Sequence, residues 1–158
     1  MKKWLVLSFV LLNLMGCSDK NSKEVVEEKP PKVLIKLANE TYETKLGTYC
    51  WSDNKVNTCV DMAGPVELLA DKKPIEALPG EKVTLKMDYE PKPNEMHVTQ
   101  FNANEKNKET EIHLRDNQFT VPKEKGIYYY AYSAGWTDEK DASVSKGDAL
   151  YAFVLEVN

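Results

Sequence analysis

The feature that most constrains the fold is an alternation of apolar and polar side chains that recurs along residues 33–158. In each of these segments every second residue is apolar: 33–37, 83–87, 112–114, 119–121 and 151–157. Successive side chains of a strand point to opposite faces of its sheet, so each segment predicts a strand with one buried face.

Short turn signals separate these segments. They are Pro79-Gly80, Asp116-Asn117, Lys125-Gly126 and Lys146-Gly147. No stretch shows the 3.6-residue period of a long amphipathic helix, and only residues 65–73 could hold a short helical turn. Several short strands with regular turns predict an all-β sandwich in a single domain spanning residues 33–158.

The segment EKGIYYYAY, residues 124–132, resembles the beginning of strand F in immunoglobulin-like domains. In that family a glycine precedes by two residues a tyrosine whose hydroxyl donates a hydrogen bond back across a corner. Gly126 and Tyr128 match, whereas Tyr130 stands where an antibody domain has its second cysteine. The resemblance covers residues 74–158 and implies an immunoglobulin-like antiparallel β-sandwich without the family's inter-sheet disulfide.

The first seventeen residues, MKKWLVLSFVLLNLMGC, combine two lysines, an apolar run from Trp4 to Met15, and a final Gly16-Cys17. As a helix the run would be roughly 18 Å long at ~1.5 Å per residue. That length is well short of the ~30 Å hydrocarbon core of a bilayer. The segment therefore predicts an export signal that is removed, and not a permanent membrane span.

The end of this segment, Leu14-Met15-Gly16-Cys17, resembles the lipobox of bacterial lipoproteins. The resemblance implies that residues 1–16 are cleaved and that Cys17 becomes a diacylglycerol-modified N-terminus. The protein would then be anchored on the extracytoplasmic face of the cell membrane, or at the outer membrane in a Gram-negative host. The alternative is an ordinary secretory signal with an incidental cysteine.

Charge and polarity constrain both the mature protein as a whole and its N-terminal region. Removing Lys2 and Lys3 leaves 19 basic against 25 acidic residues, a net charge of −6, which argues against binding nucleic acid. Residues 17–32 are polar and charged and contain Pro30-Pro31. They predict a disordered tether between the lipid and the domain, because they contain too little apolar surface to offset chain entropy.

Cys50 and Cys59 are the two cysteines that remain once Cys17 carries lipid. In an oxidising compartment an even pair predicts a structural disulfide, here closing a short hairpin. Closing such a loop contributes roughly 2–3 kcal/mol of stability. A redox centre is less favoured, because thioredoxin-like sites place their thiols two residues apart in a strand–helix context.

Two tryptophans are candidates for a binding surface. Trp51 lies inside the cysteine loop and Trp136 follows the predicted strand F. We expect both on loops, and the favoured interpretation is that each ring packs over the end of the sandwich. The alternative is that exposed aromatic rings anchor an envelope protein or a glycan.

A cuprous site is the chemical alternative, with Met96 and His97 joined by Cys50, Cys59 or Met62 as soft ligands. Against it, the alternation along this strand turns His97 to solvent if Met96 faces the core.

Catalytic signals are weaker still. The chain has no Gly-Xaa-Ser-Xaa-Gly, His-Glu-Xaa-Xaa-His or phosphate-binding glycine loop. Paired carboxylates drawn from Glu95, Asp138, Glu139 and Asp141 would need a cleft in which to meet. The sequence therefore predicts a lipid-anchored, non-enzymatic binding module without a cofactor.

Overall fold

A computed structural model describes residues 29–53, 56–102, 108–138, 140–141 and 144–158. The predicted signal, Cys17 and the larger part of the predicted tether lie outside these residues. Within them, no helix has the length and apolarity needed to cross a membrane.

The described chain consists almost entirely of strands. In chain order the elements are β1 (Val33–Leu37), β2 (Glu40–Glu43), β3 (Lys45–Asp53), β4 (Val56–Val60), α1 (Pro65–Leu68), β5 (Ile75–Ala77), β6 (Lys82–Met87), β7 (Glu95–Asn102), β8 (Glu109–Ile112), β9 (Gln118–Thr120), β10 (Gly126–Thr137) and β11 (Ser145–Val157). The alternating segments of the sequence correspond to β1, β6, β9 and β11, and α1 is the short helical turn expected within residues 65–73.

The strands form two sheets that pack face to face, which confirms the all-β sandwich. One sheet has the order β2-β1-β6-β9, and the other has the order β4-β3-β11-β10-β7-β8. The short strand β5 pairs in parallel with the last residues of β11. In immunoglobulin terms β1, β6 and β9 occupy the places of strands A, B and E, and β7, β10 and β11 those of C, F and G. The β3–β4 hairpin adds two strands beside G.

The core lies between the sheets and is built from alternate residues of the central strands. Ile35 of β1 and Val83 of β6 face Tyr130 of β10 and Leu155 of β11, and all four are fully buried. Leu68 and Leu69, at the end of α1, cover a smaller apolar cluster on the outer face of the larger sheet. The domain therefore buries one main core and one satellite core.

The corner before strand F forms as the sequence predicts. The Tyr128 hydroxyl donates to the Glu124 carbonyl oxygen at 3.0 Å. Tyr128, Tyr130 and Tyr132 all point inward along β10, as the alternation requires. This local hydrogen bond fixes where the chain turns into its longest hairpin.

The folded domain begins upstream of Val33. Pro30 is buried, and the Tyr151 hydroxyl donates to the Pro31 carbonyl oxygen at 2.6 Å. Lys32 forms an exposed ion pair with Glu43 at 3.3 Å. Residues 30–32, which the sequence assigned to the tether, therefore pack on the sandwich, because their apolar and backbone groups find partners between its strands.

Candidate functional site

One end of the sandwich, which we call the loop end, gathers five separate segments: residues 29–32, 51–53, 88–96, 135–138 and 144–147. Antiparallel pairing brings them together. Val33 pairs with Met87, Gly135 with Glu95, and Gly147 with Trp51. The strand ends that precede or follow these pairs must therefore emerge on the same side.

Three aromatic rings form the inner layer of the loop end. The ring centroids of Trp51 and Trp136 are 5.0 Å apart, and Tyr89 lies 5.8 Å from Trp51 and 6.0 Å from Trp136. All three contacts are edge-to-face, the arrangement that aromatic quadrupoles favour. Sequence reasoning did not assign Tyr89 to this site, because its proximity depends on pairing between distant strands.

The expected loop positions of the two tryptophans are wrong, since Trp51 lies in β3 and Trp136 in β10. Their exposed fractions are 7% and 3%. Trp136 follows Ala134 by two residues and Tyr132 by four, and both of these also face inward. The two rings therefore belong to the core, as the favoured packing interpretation anticipated, and lie beneath the surface of the loop end.

The loop between β6 and β7 is bonded to β10 at several points. The indole N–H of Trp136 donates to the Pro91 carbonyl oxygen at 2.8 Å. The Asn94 side-chain amide donates to Thr137 Oγ1, and the Thr137 backbone N–H donates to Asn94 Oδ1, both at 2.9 Å. A loop held by both side-chain and backbone bonds is preordered, so binding through it costs little conformational entropy.

Gly147 is required for the packing of Trp51. A Cβ atom at position 147 would lie 2.6 Å from Cε3 of the Trp51 ring, far inside van der Waals contact. The sequence showed this glycine only as part of a turn signal. Its role is to allow the indole to lie flat against the β11 backbone.

Cys50 and Cys59 form the predicted disulfide. They are directly opposite each other in β3 and β4, with an S–S distance of 2.06 Å and a Cα–Cα distance of 4.1 Å. The bond closes the hairpin beside Trp51. With both sulfurs bonded to each other, no thiolate is available as a ligand or nucleophile.

We expect loss of this disulfide to lower the free energy of unfolding by about 2–3 kcal/mol, because the loop entropy of the unfolded chain is restored. Urea unfolding of the mature protein with and without reductant measures the change. The Cys50→Ser/Cys59→Ser variant should match the reduced protein and show no further response to reductant. Equal stability of the oxidised and reduced forms would contradict the structural role.

The structure does not bring the proposed cuprous ligands together. Met96 lines a cavity that opens between the two sheets, whereas His97 lies on the outer face of the sheet with Nδ1 3.2 Å from a Glu111 carboxylate oxygen. Neighbouring residues of one strand point to opposite faces, so these two cannot share one ion. Across the described part of the chain, no three His, Cys, Asp or Glu side chains are placed to hold a metal.

A small apolar cavity opens between the two sheets beneath the β6–β7 loop. Its volume is about 120 Å³, and its lining includes Val33, Leu85, Met87, Pro93, Met96 and Tyr132. An apolar cavity of about 150 Å³ can hold benzene, so this one would take a group of roughly four or five carbon atoms. At its rim, the Lys92 ammonium donates to the Met87 carbonyl oxygen at 2.9 Å.

The carboxylates near the loop end do not converge. The backbone N–H of Lys140, followed by the Lys146 ammonium at 3.1 Å, lowers the pKa of the Asp138 carboxyl below its usual value. Glu95 instead lies on the outer face, beside the backbone of Gly135. Glu139 lies outside the described residues. The placed carboxylates therefore serve local structure and offer no acid–base pair.

Comparison of the chain with protein-family models, with curated proteins and with solved structures finds no match.

Proposed function

We propose that this protein is a lipid-anchored, extracytoplasmic binding module of the bacterial envelope. It has no enzymatic activity and captures an envelope protein or a glycan through the loop end. The observation that carries the proposal is that three of these segments, residues 51–53, 88–96 and 135–138, are joined by the contacts of Trp136 and Asn94. Rigid surfaces of this kind on a β-sandwich are typical of recognition.

The proposed contact surface consists of residues of the loop end that lie above the buried rings of Trp51 and Trp136. Met96 and Val144 are large apolar residues at the loop end with exposed fractions of 39% and 49%. Lys92 lines the same cavity as Met96, and Lys140 precedes Val144 by four residues; both lysines are exposed. Apolar residues together with charged residues are the usual composition of a protein interface. The loop end has this composition without needing an exposed tryptophan.

The expected position of the lipid anchor favours the same contact surface. The N-terminal segment reaches the sandwich at Pro30 and enters β1 at the loop end, so the tether arrives on the side of the proposed contact surface. Residues 18–28 extend to roughly 35–40 Å when fully stretched. A partner at or near the membrane surface is therefore within reach of the loop end.

Replacing both exposed apolar residues, Met96→Glu and Val144→Glu, should remove capture of partners from solubilised envelope by the full lipidated chain. The added charges make desolvation of the contact unfavourable, whereas in the free protein both positions are already partly exposed to water. Affinity capture followed by mass spectrometry measures the loss, and circular dichroism verifies the fold.

The matched control is Leu78→Glu. Leu78 is 68% exposed and lies at the opposite end of the sandwich, next to the pairing of Ala77 with Val157. This variant should retain the partners of the parent protein. If the double variant retains them as well, or if Leu78→Glu loses them, the contact surface is not the loop end.

A further inference from the structure

The outer edge of β4 differs from the other strand edges of the described chain. Natural sheets protect their edges with charged side chains or by keeping edge strands very short. Each of the edge strands β2, β5 and β8 carries at least one glutamate, and β9 has three residues. By contrast β4, with the sequence VNTCV, has five residues and no charged side chain.

The backbone of β4 presents unpaired groups at this edge. The Cα–Cα distance of 4.1 Å between Cys50 and Cys59 matches the closely spaced, non-hydrogen-bonded pairs of an antiparallel ladder. The N–H and C=O groups of Cys59 therefore point away from β3. Those of Asn57, two residues earlier, point the same way, and in the described chain β4 pairs with β3 alone.

The disulfide holds this edge in one register. A terminal strand of five residues could slip or separate, since one neighbour supplies all its pairing. The Cys50–Cys59 bond fixes β4 covalently to β3, and Val60 packs against the main core. The edge of β4 therefore holds its outward-facing backbone groups in fixed positions to which a further strand could pair, in contrast to the protected edges of the other strands.

The register of β4 allows it to pair with a second copy of itself. VNTCV has Thr58 at its centre and valine at both ends. Antiparallel pairing of two copies about Thr58 places Asn57 opposite Cys59 of the second copy, and both residues have edge-facing backbone groups. Each such pair exchanges two N–H···O bonds. Thr58 then faces Thr58 of the second copy, which is a favourable cross-strand pair.

We infer that β4 is a dimerisation edge, at which a second copy of this chain adds its own β4 in antiparallel orientation about a two-fold axis at Thr58. Such a contact uses the same edge in both copies, so the assembly closes at two chains and does not extend into a fibre. Anchoring of both copies in one membrane raises their effective concentration. The inference is independent of the partner proposed for the loop end.

The test places a single cysteine on the two-fold axis. In the full lipidated chain Cys17 is expected to carry lipid and Cys50 is bonded to Cys59, so Thr58→Cys adds the free thiol. Closely spaced pairs have Cα atoms about 4.5 Å apart, within the range that a disulfide bridges. Mild oxidation in membrane vesicles should give a reducible dimer on a denaturing gel.

The matched control is Thr110→Cys, which places an exposed thiol on the glutamate-protected edge strand β8 and should remain monomeric. Asn57→Pro, added to Thr58→Cys, removes an N–H that faces the open edge and should reduce the dimer at least tenfold, while β3 pairing persists. Peptide mapping verifies the Cys50–Cys59 bond in each variant.

Three outcomes would overturn the inference. They are equal cross-linking of Thr58→Cys and Thr110→Cys, a Thr58→Cys dimer that is unchanged by Asn57→Pro, and cross-linking of Thr58→Cys to a different protein. The last result would assign the edge to a strand from another partner.

Discussion

We expect Trp136→Ala to lower the free energy of unfolding by about 3–5 kcal/mol, the range for removing a large aromatic side chain from a core. The ring is 3% exposed and contacts both Trp51 and Tyr89. Its removal also leaves the Pro91 carbonyl oxygen without the indole donor 2.8 Å away. Urea unfolding of the mature protein, followed by far-UV circular dichroism, measures the change.

The conservative variant Trp136→Phe separates packing from hydrogen bonding. Phenylalanine retains an aromatic ring near Trp51 but cannot donate to Pro91, so its loss of stability should be clearly smaller than that of alanine. A loss below about 1 kcal/mol for Trp136→Ala would contradict the core role of the ring. It would instead favour an exposed Trp136 ring.

The second large effect is loss of stability at alkaline pH. Burial raises the pKa of Tyr132 to about 12, and burial likewise raises the pKa values of Tyr130 and Tyr151. The Tyr130 hydroxyl donates to Gln100 and the Tyr151 hydroxyl to the Pro31 carbonyl oxygen. Ionisation would place a negative charge between the two sheets and remove the donated proton.

The direction of this pH dependence follows from proton linkage. The unfolded chain releases a tyrosine proton near pH 10, whereas the folded chain retains it, so the stabilising contribution is complete below pH 10. It is lost as the pH rises from 10 toward the folded pKa values. The unfolded phenol goes from half to almost fully ionised between pH 10 and 11, so each one costs about 1 kcal/mol there and three together cost roughly 3 kcal/mol.

Urea unfolding at pH 9, 10 and 11 checks this dependence. Tyr132→Phe removes one of the three ionising groups, so it should reduce the loss between pH 10 and 11 by about one third. Deprotonation of lysines changes the stability of both proteins, so the difference between parent and variant gives the contribution of Tyr132. An identical pH dependence in parent and variant would show that Tyr132 ionises equally easily in the folded and unfolded states.

Local signals account for the parts of the fold that the sequence predicted. The alternation in β1 and β6 needs only neighbouring residues, and it identifies Ile35 and Val83 as core residues. The corner also depends on a short stretch, because Tyr128 bonds to Glu124, four residues earlier. The disulfide followed from counting cysteines once Cys17 is assigned to lipid.

The candidate site was predicted only in part, because its geometry depends on distant residues. Trp136 belongs to a strand and not to a loop, since β10 remains paired with β11 as far as Thr137. The contact of Trp51 with Trp136 and Tyr89 joins positions up to 85 residues apart, so no local pattern could show it. The separation of Met96 and His97 has a local cause, because adjacent side chains of a strand point to opposite faces of its sheet.

By itself, the sequence determined the all-β class, the inward tyrosines of β10 and the Cys50–Cys59 pair, because short-range periodicity and composition encode them. Only the tertiary structure decided that Trp51 and Trp136 are buried together, that Gly147 must lack a side chain, and that within the described residues β4 pairs with β3 alone. These properties depend on which strands become neighbours. Strand order is set by packing of the whole core, and no single segment contains that information.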